Sequence, residues 1–373
     1  MEAPSMSMTL APSLTPLEHF PSPDLEVPPA RSLEEIRAAA PEFREWFRAT
    51  GQVDLFAARS LVTLPYPKRF GLWEACRVPV PYVWMTNRMF VIQWDEDGRT
   101  RTLVAEPSDY ELGIDTPFLM KTIQHLPMSR ERALDAFFIR HSHVDETLAT
   151  LGIQPEDVDF VTFDHLHTQD IRRLVGTVEP APDLGFADEP VPPMFPNAKL
   201  IVERAELEHV KEVHPFQARF HQSWTYGNIR EENLEIIDGD VLVAPGIALL
   251  RTPGHTLGNH TLVVNTGRGI FTSSENGIAV ESYAPEHSKL PGVAKWAREW
   301  GYEVVMNFNT PEYASWQYNS MIKEKLIADP IPGHPELRQV FPSSELTRHR
   351  LAPAIRPLFE HGDLTVGIPT ARG

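Results

Sequence analysis

The run Val158-Asp159-Phe160-Val161-Thr162-Phe163-Asp164-His165-Leu166-His167-Thr168-Gln169-Asp170 constrains this chain more than any other segment. An apolar, β-branched stretch with strand character delivers two histidines one residue apart, then a carboxylate three residues on, where the hydrophobic pattern stops. Alternate residues of a strand point to one side, so His165 and His167 can aim both imidazoles at a single point while Leu166 turns into the packing. Neutral imidazole is the commonest nitrogen ligand for zinc and also suits iron, copper and nickel. An isolated HxH pair also arises as a surface or core coincidence, so its weight depends on what the rest of the chain supplies.

Composition narrows the chemistry. The single cysteine, Cys76, excludes an intramolecular disulfide framework and any cysteine-rich zinc site, leaving histidines and carboxylates as available ligands. Acidic groups outnumber basic ones by seventeen, which opposes a nucleic-acid backbone and disfavours polynucleotide substrates. No stretch approaches the roughly eighteen apolar residues of a membrane span, and residues 1–17 lack the basic and apolar regions of a secretory signal. A cytoplasmic location is the expectation.

At 373 residues the chain is long for one compact domain, so a core domain with appendages is expected. Residues 1–30, with Pro12, Pro16, Pro21, Pro23, Pro28 and Pro29, read as a proline-rich extended leader. Residues 31–80 read as an amino-terminal helical appendage, in which Ser32 caps a helix and Ile36, Phe43, Trp46 and Phe47 form its apolar face. Residues 81–340 form the main domain, and 341–373 a carboxyl-terminal cap or tail with helical character over 343–359. Either appendage offers a contact for a homo-oligomer.

Within the main domain, residues 82–85 and 89–94 predict a hairpin, and 129–151 a helix ended by Gly152 and Pro155. Residues 199–202 predict a strand and 203–213 a helix. Segments 234–237, 241–243, 247–250 and 261–264 then predict a four-stranded meander separated by Asp-Gly, Pro-Gly and Pro-Gly-His turns. A second sheet of this kind after an αβ segment predicts an αββα sandwich, two mixed sheets face to face with helices outside.

Thr252-Pro253-Gly254-His255-Thr256 lies between two of these strands, Gly269-Ile270-Phe271-Thr272-Ser273-Ser274-Glu275 ends another in a carboxylate, and Pro332-Gly333-His334 repeats the Pro-Gly-His device. This order of motifs resembles the metallo-β-lactamase-fold hydrolase superfamily over roughly residues 83–334. The stretch LATLGIQPEDVDFV before the motif, Phe195-Pro196-Asn197-Ala198 before a strand, and the run through His260 resemble the family as well. The resemblance implies that His165, His167 and His255 bind a first metal, that Glu275 occupies the bridging-carboxylate position, and that His334 serves a second metal.

The family motif HxHxDH reads HLHTQD here, with Gln169 in place of Asp and Asp170 in place of His, and Glu275 replaces a further Asp. An amide is a poor ligand, so the second site changes character. Either Asp170, Glu275 and His334 make a carboxylate-rich site that favours iron or manganese, or the three-histidine site alone is filled, giving one or two zinc ions in all. The implied activity is hydrolysis of a small ester-, lactone-, thioester- or amide-like substrate by metal-bound hydroxide, with Asp170 or Glu275 handling the proton. Iron-dependent redox chemistry on the same fold, and a non-catalytic metal- or ligand-binding protein with a degenerate site, are the alternatives.

Other candidates carry less. His141-Ser142-His143-Val144-Asp145 matches HxHxD in letters but lacks a preceding strand. His260 reads as a polar strand residue that supports a ligand at most, and Asp164 either orients His165 or is a solvated turn residue. Ser273 and Ser274 lack the partners of a nucleophilic serine. The aromatic, amide-rich tract from Phe308 to Asn319 reads as core or as the wall of a substrate mouth.

Overall fold

Period-two alternation builds the centre of the molecule, which the computed structural model describes over residues 14–21, 27–124, 128–307 and 311–371. In strand Leu55–Pro67, Phe56 and Ala58 face one side while Leu55 and Ala57 face the other, and both sides are buried. Phe90 and Ile92 alternate with Met89 and Val91 in the same way along strand Tyr82–Glu96. A strand buried on both faces requires a packed layer on each side.

The inner layer is a second sheet. Val241, Val243, Ile247, Leu249, Leu262, Val264 and Phe271 meet Phe56, Phe90, Ile92, Leu103, Phe160 and Ile201 in one cluster between the sheets. Outside the small sheet, Ile36, Ala40, Phe43 and Phe47 of helix Pro29–Thr50 pack on Ala248, Leu250, Val263 and Ile270, together with Ile327 of helix Ala314–Ile327. Outside the large sheet, Val144 and Leu148 of helix Val144–Thr150 join Leu55, Val91, Val104 and Val161. The architecture is an αββα sandwich, the layering that the resemblance implies.

The large sheet has nine strands, with the order Leu234–Ile237, Lys199–Glu203, Phe160–Thr162, Arg99–Ala105, Tyr82–Glu96, Leu55–Pro67, Leu364–Gly367 along its main path. The first four of these run parallel and the rest antiparallel. The small sheet, Thr15–Pro16, Val241–Ala244, Ile247–Arg251, His260–Thr266 and Gly269–Ser273, is wholly antiparallel, so only the large sheet is mixed.

Several local expectations are corrected by long-range pairing. Residues 82–96 are one strand, because Arg88, expected in a turn, is buried against Glu345 at 3.0 Å. The hairpin partner is Leu55–Pro67, which inserts the segment expected as an appendage into the middle of the sheet. Residues 343–359 hold strand Ser344–Thr347 rather than helix, paired to Tyr82–Glu96, and Leu364–Gly367 closes on Leu55–Pro67. Leu234–Ile237 leaves the predicted meander to run parallel to Lys199–Glu203. The helix expected over 129–151 divides into Arg130–Phe137, capped by Ser129, and Val144–Thr150, with strand Ile139–Arg140 between them on Leu55–Pro67. Helix Pro29–Thr50 starts on proline, whose missing N–H costs nothing at a first turn, and Ser32 is buried inside it. Residues 1–13 and 22–26 of the expected leader, and Phe308-Asn309-Thr310, lie outside the described residues.

Candidate metal centre

Strand ends from both sheets converge at one edge. Phe160–Thr162 runs into Asp164 and His165, Arg99–Ala105 into Glu106, Ile247–Arg251 into the turn carrying His255, and Gly269–Ser273 into Glu275. The carboxyl ends of parallel strands are where open α/β sheets form sites. Thr168 takes a left-handed backbone at φ 61, which turns the chain sharply after His167.

A buried carboxylate from a helix ties the two histidine loops together. Glu206, on Arg204–Lys211, accepts the Leu166 N–H at 2.8 Å through Oε1 and the Thr256 hydroxyl at 2.7 Å through Oε2. That close approach requires Gly258, since a Cβ there would overlap the backbone of Glu206. Behind His255, Asn276 Oδ1 accepts its backbone N–H at 3.2 Å, and Asn276 Nδ2 donates to Glu324 at 2.8 Å.

His165, His167 and His255 form the core of the site. They are 5%, 5% and 1% exposed, and their candidate ligand atoms lie within 4.8 Å of one another. Each ring has its other nitrogen engaged from outside: Nδ1 of His165 by Asp164 at 2.6 Å, Nε2 of His167 by Gln217 Oε1 at 2.7 Å, and Nδ1 of His255 by the Asn307 amide at 3.4 Å. The inward nitrogens, Nδ1 of His167 and Nε2 of His255, are 3.2 Å apart. Outer acceptors such as Asp164 and Gln217 set the tautomer and aim of metal-ligating histidines.

The charges fit a cation. Burial, then the charge of His165, holds His167 and His255 well below the ordinary histidine pKa, so both rings are neutral donors. Burial opposes protonation of His165 too, but Asp164, Glu275 and Glu206 outweigh it and raise its pKa to about 9. Burial and the Asp164 charge push Glu275 up to about 7, against the pull of His165. Burial and Asp164 hold Glu106 well above the carboxylate range. The crowding of carboxylates thus holds a proton on His165, and together with burial it favours protons on Glu275 and Glu106. Two neutral imidazoles, a third ring whose extra proton a cation would displace, and buried acids around them suit a divalent metal such as zinc.

Glu275 groups with His165 and Asp164, and its Oε2 accepts the Ser344 hydroxyl at 3.2 Å. Asp164 orients His165 and accepts from Ser343 at 2.8 Å. Two expected ligands lie outside these clusters, each with another partner. Asp170 is held by the Arg172 guanidinium, and His334 opens strand His334–Arg338 in a two-stranded hairpin, its ring beside Glu336 at 3.4 Å. A family letter pattern carries no information about which neighbour claims each side chain. His260 bonds Thr162 at 3.0 Å, His141 bonds Thr63 at 2.9 Å, and His143 starts a helix beside Asp109. Gln217, Asn307, Glu206 and Glu106 were absent from the expected site. Each is a single polar residue in a loop, at a strand end or on a helix, with no motif around it, and only contact across the fold reveals it.

A cavity of about 110 Å³ opens on His165, His167, His255 and Glu275. Tyr66, Met85, Ile114, Phe118, Phe138 and Phe220 give it apolar walls, and Phe220 also packs on His167 with ring centres 5.0 Å apart.

No protein-family model matches the chain. Over 119 residues it is 30% identical to an N-acyl homoserine lactonase of a Bacillus species, and over 121 residues 28% identical to one of Bacillus thuringiensis. It is similar to metallo-β-lactamase-fold hydrolases. Each sequence match covers 32% of this chain and 38% of the relative, so it spans well under half of the relatives' length. Among solved structures, a probable metal-dependent hydrolase from Staphylococcus aureus is 12% identical with a TM-score of 0.49, covering 72% of this chain and 84% of that one. An N-acyl homoserine lactone hydrolase with N-hexanoyl-L-homoserine at its catalytic metal centre is 17% identical with a TM-score of 0.42, covering 67% and 89%. AidC, a dizinc quorum-quenching lactonase, is 14% identical with a TM-score of 0.43, covering 72% and 82%.

Proposed function

We propose that the protein is a metal-dependent hydrolase of small ester-, lactone-, thioester- or amide-like substrates, with lactones the first class to test because the matched relatives are N-acyl homoserine lactonases. The observation that carries this reading is the trio His165, His167 and His255, each engaged from outside at one nitrogen, beside Glu275 in an apolar-walled cavity. These histidines would hold the metal, with zinc the ion that three neutral imidazoles suit best; when bound it acidifies water and polarises the carbonyl under attack. Glu275 takes the proton of the attacking water and returns it to the leaving oxygen, sulfur or nitrogen. Asp164 keeps His165 in the required tautomer, as Gln217 does for His167. The apolar walls hold the substrate's hydrocarbon portion and exclude bulk water, which strengthens every charge interaction inside.

The test is metal analysis of protein purified without added metal, then a panel of lactone, thioester, ester and phosphoester substrates. Zinc with turnover of an acyl substrate, both lost in His167→Ala and His255→Ala, is the expected result. Iron with oxygen consumption would replace this reading by redox chemistry on the same fold. Neither metal nor turnover would make the chain a degenerate binding protein.

A further inference from the structure

The resemblance leaves one or two metals open, and a structural neighbour is a dizinc enzyme. We infer that this chain holds a single metal ion, and that the position which family likeness would make a second-site ligand, Asp170, is an anchor for the loop over 171–190. The inference rests on the three-histidine reading above.

Each expected second-site group is committed elsewhere. Asp170 Oδ1 accepts from the Arg172 backbone N–H at 3.1 Å and its Nε at 2.9 Å, while Oδ2 accepts from Nη2 at 2.6 Å. The pairing is bidentate and buried, and both oxygens are used. Arg172 continues to Asp183 through two further bonds, at 3.2 and 2.6 Å, so the motif is clamped to the turn at Pro182–Leu184. Gln169 lines the cavity, but it is neutral and its Oε1 accepts the Ser108 hydroxyl at 2.8 Å. His334 is paired with Glu336 on its own hairpin.

What remains near Glu275 is engaged as well: Glu106, on the same cavity, accepts the Asp164 N–H through Oε1 at 2.6 Å. The segment that reaches the site from the carboxyl-terminal side presents Ser343 and Ser344, two hydroxyls that donate to Asp164 and Glu275. The other candidate cluster, Asp164, His165 and Glu275, shares His165 with the first. Its Asp164 already serves His165 with one oxygen and Ser343 with the other. Two divalent ions side by side repel strongly in a dry pocket, and paired sites offset this with several anionic ligands. Among the described residues, Glu275 is the one carboxylate of the expected set at the cluster.

The experiment counts metal without using activity. Full-length protein is loaded with zinc, dialysed, and measured by native mass spectrometry and elemental analysis, alongside Asp170→Asn. A cobalt-loaded sample is examined by electron paramagnetic resonance. One zinc per chain, an uncoupled cobalt signal, and Asp170→Asn that keeps its ion while melting at lower temperature are expected. Two ions in the wild type, or a spin-coupled cobalt pair, would overturn the single-metal inference and leave the three-histidine site standing. Loss of the ion in a folded Asp170→Asn would show that Asp170 is a ligand. No metal at all would overturn the three-histidine reading itself. Should Asp170→Asn fail to fold, the wild-type count and the cobalt spectrum decide alone.

Discussion

Glu275 is the residue on which the proposed chemistry turns. It is one methylene longer than the Asp that the sequence resemblance implies at this position and is steadied by the Ser344 hydroxyl. Glu275→Asp keeps the charge and draws it back by more than 1 Å, a displacement sufficient to spoil near-attack alignment. The expected result is a loss of turnover of roughly a hundredfold with metal retained, whereas Glu275→Gln should lose more rate and weaken metal binding. Wild-type turnover in both, on an identified substrate, would reduce Glu275 to a strand-end residue. A second titrating residue acts on stability. Glu203 is the buried last residue of strand Lys199–Glu203, and burial raises its pKa from 4.5 to about 8 despite the pull of Arg251. Between those values the folded chain keeps a proton that the unfolded chain releases, so stability falls as pH rises through the window and levels off above it. Glu203→Gln should therefore raise the melting temperature at pH 9 and leave it nearly unchanged at pH 5. An equal shift at both pH values would refute the assignment.

At the scale of elements, the site depends on helix Arg204–Lys211 sitting against the turn that carries His255. Gly258 makes that contact possible, and Glu206 fastens it from the helix to Leu166 and Thr256. Gly258→Ala must push the helix and the turn apart, moving His255 away from His167. Zinc affinity should fall by about 10- to 100-fold, the range for losing an outer partner, while far-ultraviolet circular dichroism stays unchanged. Competition with a chelator measures this directly, and unaltered affinity would mean that the turn is held by Asn276 and Glu324 alone. The helix Pro29–Thr50 has a purely structural part, because Phe43 and Phe47 seal the outer face of the small sheet.

For the molecule as a whole, the carboxyl-terminal segment is a component of the fold. Arg88 and Glu345, 3% and 1% exposed, pair across strands that are far apart in sequence, and His361 adds a bond to Glu345 at 2.8 Å. Breaking such a pair strands a buried charge at a cost of about 3–5 kcal/mol. Glu345→Gln should accordingly lower the urea midpoint sharply, and Arg88→Met combined with Glu345→Leu should be milder than Glu345→Gln alone. If the double variant is the worse one, the pair is a net stabiliser of the fold. No described helix is long and apolar enough to cross a membrane.

What the sequence determined by itself is local. Strand Phe160–Thr162, the strand and helix over 199–211 and four strands of the small sheet were legible because each rests on short-range alternation or on a tight turn beside a strand end, while the grouping of His165, His167 and His255 came from the family resemblance. The αββα class followed from the order of those segments. Tertiary structure alone decided which neighbour claims each polar side chain. Nothing near Arg88 announces Glu345, 257 residues away. The hairpin expected over 82–94 and the helix expected over 343–359 failed for that reason, since isolated polar residues read as turn or surface until a distant partner buries them. Gln217, Asn307 and Glu206 entered the site in the same way. Local pattern reports which face of a strand is apolar, whereas the pairing of buried charges and hydrogen bonds is a property of contacts that exist only after the sheets have closed.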